Sequence, residues 1–217
     1  MARVIFFIDG FNLYHAIKSL QANHLKWLDL KTLCQNFAPS PQFTIENIHY
    51  FSAYATWLLG AFHRHKIYLQ ALRSTGVVPV LGKFKKKDSG CKQCGSTWKS
   101  HEEKETDVNI ALHILDQAYR NKFDRAIIIS ADSDFSPAVK LVRKRFPEKQ
   151  FRILTPVNRK HSLDLVNAVG GKENTGRVKR IHIERSLFPE KIILPSGKEI
   201  LRPEEYCPPE QIHTLSL

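Results

Sequence analysis

The sequence predicts an α/β fold built on a mainly parallel sheet of about five strands, and three observations carry that prediction. Short apolar runs alternate with helical patterns as far as residue 170. Two of the runs, Val4-Ile5-Phe6-Phe7-Ile8 and Ala126-Ile127-Ile128-Ile129, are apolar at every position, as strands covered on both faces are. Both run into short turns bearing aspartate, after which a helical pattern begins. Such alternation gives right-handed crossovers and a parallel sheet with helices on both sides.

In chain order, residues 4–8 form the first strand, and residues 12–22 and 28–37 read as helices. Residues 45–53 are the second strand. A basic amphipathic helix follows over 58–74, and Gly76 opens a third strand over 77–81. Residues 106–120 are a strong helix, since Ile110, Ala111, Ile114, Leu115 and Ala118 recur at helical spacing. The fourth strand covers 125–130, a helix 135–146, the fifth strand 151–154 and a short helix 162–169. After Gly170-Gly171 the character changes. Residues 191–194 and 199–201 read as a small hairpin around Pro195-Ser196-Gly197, and prolines 203, 208 and 209 oppose regular structure. The expected organisation is one domain over residues 1–175, with a basic, cysteine-containing loop at 83–104, and a C-terminal appendage at 176–217.

A chain of 217 residues can bury about 70% of the surface its unfolded form exposes, enough for one sizeable core. Its 42% hydrophobic and 25% charged content argues against wholesale disorder. No apolar stretch approaches the roughly 20 residues of a membrane span. The run after Arg3 mimics the start of a signal peptide, but Asp9 interrupts it and no small-residue cleavage site follows. A cytoplasmic location with no membrane partner is expected.

Lysine and arginine number 33 against 21 acids, a formal net charge of +12, and the excess is local. It sits in Lys83-Phe84-Lys85-Lys86-Lys87, Arg143-Lys144-Arg145, Arg159-Lys160-His161 and Arg177-Val178-Lys179-Arg180. Any one such run can be a solvated face. Four of them, interleaved with aromatics, suit a phosphate backbone, and Lys83, Lys85, Lys86, Lys87, Arg159 and Lys160 are the candidate nucleic-acid contacts.

Against this basic background stand acids where a core has no use for them. Asp9 follows the first strand, Asp107 heads the 106–120 helix, and Asp132 and Asp134 follow the fourth strand. In parallel sheets, ligands collect beyond the carboxyl ends of the strands. Acids gathered there repel one another, and bound divalent cations are the usual remedy. Carboxylate oxygens of this kind suit Mg²⁺ or Mn²⁺. Each acid also has an ordinary reading: Asp9 and Asp134 as helix caps, Asp107 as a favourable charge near a helix N-terminus. Two acids one residue apart after a buried strand are harder to explain that way.

The three blocks Ile8-Asp9-Gly10-Phe11-Asn12-Leu13, Lys104-Glu105-Thr106-Asp107-Val108 and Ser130-Ala131-Asp132-Ser133-Asp134-Phe135 resemble the signature motifs of NYN-domain proteins, LabA-like branch, within the PIN-like nuclease superfamily. The resemblance covers residues 2–170, and the hairpin tail resembles appendages of that branch. Ala131 stands where the family usually has glycine, while both aspartates of the block survive. The resemblance implies a three-layer α/β/α PIN-like fold and metal-dependent cleavage of RNA, single-stranded or structured. It also implies that Asp9, Asp107, Asp132 and Asp134 bind Mg²⁺ or Mn²⁺, and that Asn12 positions the first acid or a phosphate. The alternative within the same fold is a nucleic-acid-binding regulator with little or no turnover. A phosphatase or dinucleotide-binding enzyme is less well supported. Position 11 is Phe where a phosphatase Asp-x-Asp needs its second acid, and no glycine-rich dinucleotide or Walker loop appears.

Cys91-Lys92-Gln93-Cys94-Gly95 is a separate signal with the spacing of half a zinc knuckle. With His101 nearest in sequence, Cys91, Cys94 and His101 are candidate ligands of a structural Zn²⁺ that would pin the basic loop. Two ordinary thiols are the plain alternative. Phe11, Tyr14, Phe84 or Trp98 could stack on unpaired bases, although aromatics more often serve the core.

Overall fold

The computed structural model describes residues 1–90 and 93–209. In chain order the elements are β1 (Ala2–Asp9), α1 (Gly10–Lys18), α2 (Leu30–Gln35), β2 (Phe43–Ser52), α3 (Leu59–Ser74), β3 (Val78–Leu81), β4 (Lys83–Gly90) and β5 (Thr97–Lys104). There follow α4 (Thr106–Tyr119), β6 (Arg125–Ile129), α5 (Ser136–Arg145), β7 (Gln150–Thr155), α6 (Leu163–Ala168), β8 (Thr175–Arg177), α7 (Arg180–Glu184), β9 (Lys191–Ile193) and β10 (Glu199–Leu201).

The central sheet has the order β3-β2-β1-β6-β7-β8, and every adjacent pair is parallel. β1 lies in the middle, so its residues from Val4 onward are all buried. Successive side chains of a strand point to opposite faces. Accordingly Val4, Phe6 and Ile8 enter one core with Leu13 and Ile17 of α1 and Leu69 and Leu72 of α3. Ile5 and Phe7 enter a second core with Ile110 and Ile114 of α4 and Val139 and Val142 of α5. A run apolar at every position is therefore what a strand with a core on each side requires.

The expected five strands are present, with a sixth beyond them. β8 pairs with β7 from Ile153↔Thr175 to Thr155↔Arg177. The segment after it is also tied to the core. Val178, Ile183, Phe188 and Ile200 are buried in the α1 and α3 side of the molecule. The indole N–H of fully buried Trp27 donates to the Pro189 carbonyl at 2.8 Å, and the Asp29 N–H donates to the Ser186 carbonyl at 2.7 Å. The small hairpin of β9 and β10 pairs Ile192 with Ile200.

Residues 83–104 hold more order than a loop. β4 and β5 form an antiparallel hairpin from Lys83↔Lys104 to Gly90↔Thr97. Its side chains are mostly exposed, and charge complementarity helps hold it: Lys83 pairs with Glu105, and Lys87 reaches Glu102 at 3.4 Å. A ribbon solvated on both faces lacks the apolar alternation by which a strand is read from sequence.

Candidate active site

Strand order reverses at the boundary of β1 and β6. From β1 the sheet grows through β2 to β3 on one side, then continues through β6, β7 and β8 on the other. A crevice forms beyond the carboxyl ends at such a reversal. Asp9 is the last residue of β1, and Ser130, Ala131 and Asp132 directly follow β6. Strand parity places Asp9 with Ile5 and Phe7, on the side that α4 covers.

Asp9 is only 3% exposed and accepts three hydrogen bonds. The Asn12 backbone N–H reaches Oδ1 at 3.0 Å, the Asn12 side-chain amide reaches Oδ2 at 3.0 Å, and the Ser130 hydroxyl reaches Oδ2 at 2.8 Å. Burial pushes this carboxyl above the ordinary range, the three bonds pull it down, and Asp132 pushes it up again. Asn12 Oδ1 in turn accepts the Ala131 N–H at 3.3 Å, and Ser130 Oγ accepts the Asp132 N–H at 3.0 Å. The Asp134 N–H closes the loop onto Asp132 Oδ1 at 3.2 Å. One polar network thus joins the start of α1 to the loop after β6. Asp9 does cap α1, as its ordinary reading expects. Asp134 caps nothing: Phe135 takes the cap position of α5, without a side-chain bond.

Gly10 allows this corner to form. A Cβ there would lie 2.5 Å from the Phe51 carbonyl oxygen and 2.7 Å from Cζ of Tyr50. A backbone oxygen cannot rotate away, so Gly10→Ala must shift α1 or β2. We expect a loss of about 1–3 kcal/mol, the usual size of an overpacking penalty, read by urea denaturation; stability equal to wild type would show the approach to be looser than described.

Asp107 is half-buried at the head of α4, one position beyond Thr106 in the buried stripe Thr106, Ile110, Ile114 and Ala118. Burial pushes its carboxyl up to about 7, with Asp132, Asp9, Glu103 and Asp134 each adding to the effect. Asp9, Asp132 and Asp134 therefore lie near enough to Asp107 for their charges to raise its carboxyl. As their side chains are placed, the described residues contain no group of three or more His, Cys, Asp or Glu close enough to ligate an ion. The donor chemistry still fits a hard divalent cation, being all carboxylate oxygen in a field that such a charge would relieve.

Two contributors were not singled out from the sequence. Ser130 is fully buried beneath Asp9. Glu103, on β5, turns inward. Its Oε1 accepts from the Thr106 N–H at 3.1 Å and from the Thr106 hydroxyl, completing the N-terminus of α4. The turn that permits this puts Glu105 in the left-handed region at φ 81°.

The basic candidates lie on two elements, β4 and the loop after β7. Lys85 and Lys86 are exposed on β4, and among the described residues neither has an ion pair; Lys83 and Lys87 face Glu105 and Glu102. Arg159 and Lys160 are exposed on the loop after β7, and Arg159 lies near enough to His15 to help lower its pKa. The hairpin base rests on the site through Phe84, whose ring meets Phe11 edge-on at 5.5 Å and Trp57 at 4.7 Å. His101 is stacked on Trp57, with ring centroids 3.6 Å apart. It pairs with Lys86, four rungs along the ladder from Gly90↔Thr97 beside the turn that carries Cys94. The structure thus does not bring His101 to the cysteine turn, and Cys91 lies outside the described residues.

The NYN domain model matches residues 3–169. A protein of Pseudomonas putida, 6-hydroxy-3-succinoylpyridine 3-monooxygenase HspA, is 25% identical, over 98% of this chain and 78% of its own length. The crystal structure of a protein of unknown function from Vibrio parahaemolyticus superposes with a TM-score of 0.55 at 17% identity, covering 86% of this chain and 96% of that one. At that identity the likeness speaks for the fold alone.

Proposed function

Because the chain belongs to the NYN domain family, within the PIN-like nuclease superfamily, we propose that it is a divalent-metal-dependent nuclease hydrolysing the phosphodiester bonds of RNA. The observation that carries this reading is the hydrogen-bonded network joining Asp9 to the Asp132–Asp134 loop at the sheet's switch point, with Asp107 near enough for these acids to raise its carboxyl. The three sequence blocks favour the LabA-like branch, and a cytoplasmic RNA is the substrate this implies.

Asp9, Asp107, Asp132 and Asp134 would hold Mg²⁺ or Mn²⁺, which when bound supplies a more acidic water and offsets charge on the phosphoryl oxygens. The remaining work falls to the chain itself. Asn12 and Ser130 fix both oxygens of Asp9, so this carboxylate is oriented before any ligand arrives. Burial and the neighbouring acids push the Asp107 carboxyl up to about 7 in the metal-free protein, and a bound cation would offset that repulsion. Lys85 and Lys86 on the β4–β5 hairpin and Arg159 and Lys160 on the loop after β7 would take backbone phosphates, which position a strand without reading its bases. The oxygenase chemistry in the name of the Pseudomonas putida relative is not carried over, because 25% identity conveys fold more readily than substrate.

The test is direct. Purified protein should cut a labelled single-stranded RNA with Mn²⁺, stop on chelation and resume on Mn²⁺ addition. Its RNA affinity should fall steeply with salt, with a log–log slope of about −0.7 per neutralised phosphate. Failure to cut any RNA with either Mg²⁺ or Mn²⁺ would count against catalysis.

A further inference from the structure

A cavity of about 340 Å³ opens beside α1, on the other side of that helix's first turn from the acids. Gly10, the neighbour of Asp9, forms part of its wall, so the cavity and the acid corner share a boundary. Its volume lies at the small end of the range for small-molecule sites, about 300–1,000 Å³. That is room for one planar ring with its attachments and not for a length of strand.

Three kinds of group line it. Phe11, Tyr14, Tyr50, Tyr68 and Tyr206 supply aromatic walls, Tyr206 being contributed by the C-terminal segment. Lys18, Lys26 and Arg64 supply cations. The Lys26 ammonium is pulled down by burial and by both other charges, so the three converge on one region. Arg64 is bound to Glu205 at 2.5 Å, which anchors the segment carrying Tyr206. Among the described residues Lys18 and Lys26 have no carboxylate partner; the Lys26 ammonium donates to Asn23 Oδ1 at 2.7 Å and lies over the Tyr14 ring. At the inner wall Ser52 Oγ is 3.3 Å from Nε2 of His65. Burial holds His65 neutral, at about 4, and Ser52 also bonds to Tyr50. The interior thus offers uncharged donors and acceptors among aromatic faces, with unpaired positive charge at the margin.

We propose that this cavity is a nucleotide pocket. One base inserts between the aromatic walls, its edge meets Tyr50, Ser52 and His65, and its phosphate meets Lys18, Lys26 and Arg64. The inference rests on the nuclease reading for its main consequence, that a base seated here sets the register of a strand beside Asp9. The chemistry is common to a residue within RNA and to a free mononucleotide, and binding measurements distinguish the two.

The experiment uses the full chain carrying Asp132→Asn, so that binding is read without cleavage. Affinities for a single-stranded RNA and for each of the four ribonucleoside monophosphates are measured before and after adding Ala61→Phe, which fills the cavity and leaves every charge in place. Lys26→Ala is the second variant, and unchanged thermal denaturation confirms that each folds. Both variants should weaken RNA about tenfold or more, the scale of one lost base stack. Loss confined to RNA assigns the pocket to a strand residue. Measurable monophosphate binding that Ala61→Phe abolishes assigns it to a free nucleotide. If both folded variants bind RNA and monophosphates as the parent does, the pocket proposal is wrong, even if the wild-type chain cleaves RNA. Wild-type inactivity with intact, cavity-dependent binding would instead sink the nuclease reading alone.

Discussion

Asp132→Asn is expected to lower Mn²⁺-dependent cleavage of single-stranded RNA by about a thousandfold or more while leaving RNA affinity within about twofold, by analogy with the loss of a charge-stabilising group at a reacting centre. The substitution is nearly isosteric. An asparagine oxygen can still accept the Asp134 N–H, and the Asp132 N–H can still donate to Ser130, so the loop after β6 should keep its shape. What disappears is one negative charge from the group that acts on Asp107 and Asp9. The basic residues that grip the backbone are untouched. Cleavage at the wild-type rate would remove Asp132 from the chemistry. Tight RNA binding with no cleavage by either protein would favour the regulator reading of the same fold.

The second large effect belongs to Asp107, and its sign depends on the metal. Its carboxyl in the folded protein sits at about 7, well above the unfolded value near 3.9. The folded state therefore holds the proton more tightly, so the stability this group lends is full below about pH 4 and is lost as pH rises through about 7. Asparagine cannot ionise and escapes that loss. In metal-free buffer at pH 8, Asp107→Asn should raise Tm by about 2–4 °C, corresponding to about 1 kcal/mol for a chain of this size after allowing for solvent screening. The Tm of the variant should also decline less between pH 5 and pH 8. With Mn²⁺ the order reverses: wild type gains stability from the ion and the variant gains little, along with losing cleavage. Scanning calorimetry at both pH values, with and without Mn²⁺, checks all four corners. A variant less stable than wild type at pH 8 without metal would show that Asp107 is held by favourable contacts and not strained by its neighbours.

How much of this was legible in the sequence follows from which forces act locally. β1 and β6 could be read because burial on both faces leaves no polar position in the run. The acids that end these strands stood out for the same reason. β8 gave no such signal: it has only three residues, and none of them is fully buried. The β4–β5 hairpin is a backbone ladder with mostly exposed side chains, which is invisible to a search for apolar alternation. Glu103 could not be separated from Glu102 and Glu105 by type or spacing. Its inward turn depends on the left-handed backbone of Glu105, a property of the tertiary path. The attachment of the C-terminal segment also needs distant partners, Trp27 with Pro189 and Arg64 with Glu205. His101, nearest in sequence to the cysteines, found a flat partner in Trp57 instead.

The central claim is that four carboxylates from β1, α4 and the loop after β6 serve one cation. Anomalous diffraction from a crystal soaked in Mn²⁺ tests it most directly. A peak bounded by the oxygens of Asp9, Asp107, Asp132 and Asp134 is the predicted result. A map with manganese only at other positions, or with none at this crevice at saturating concentration, would contradict it.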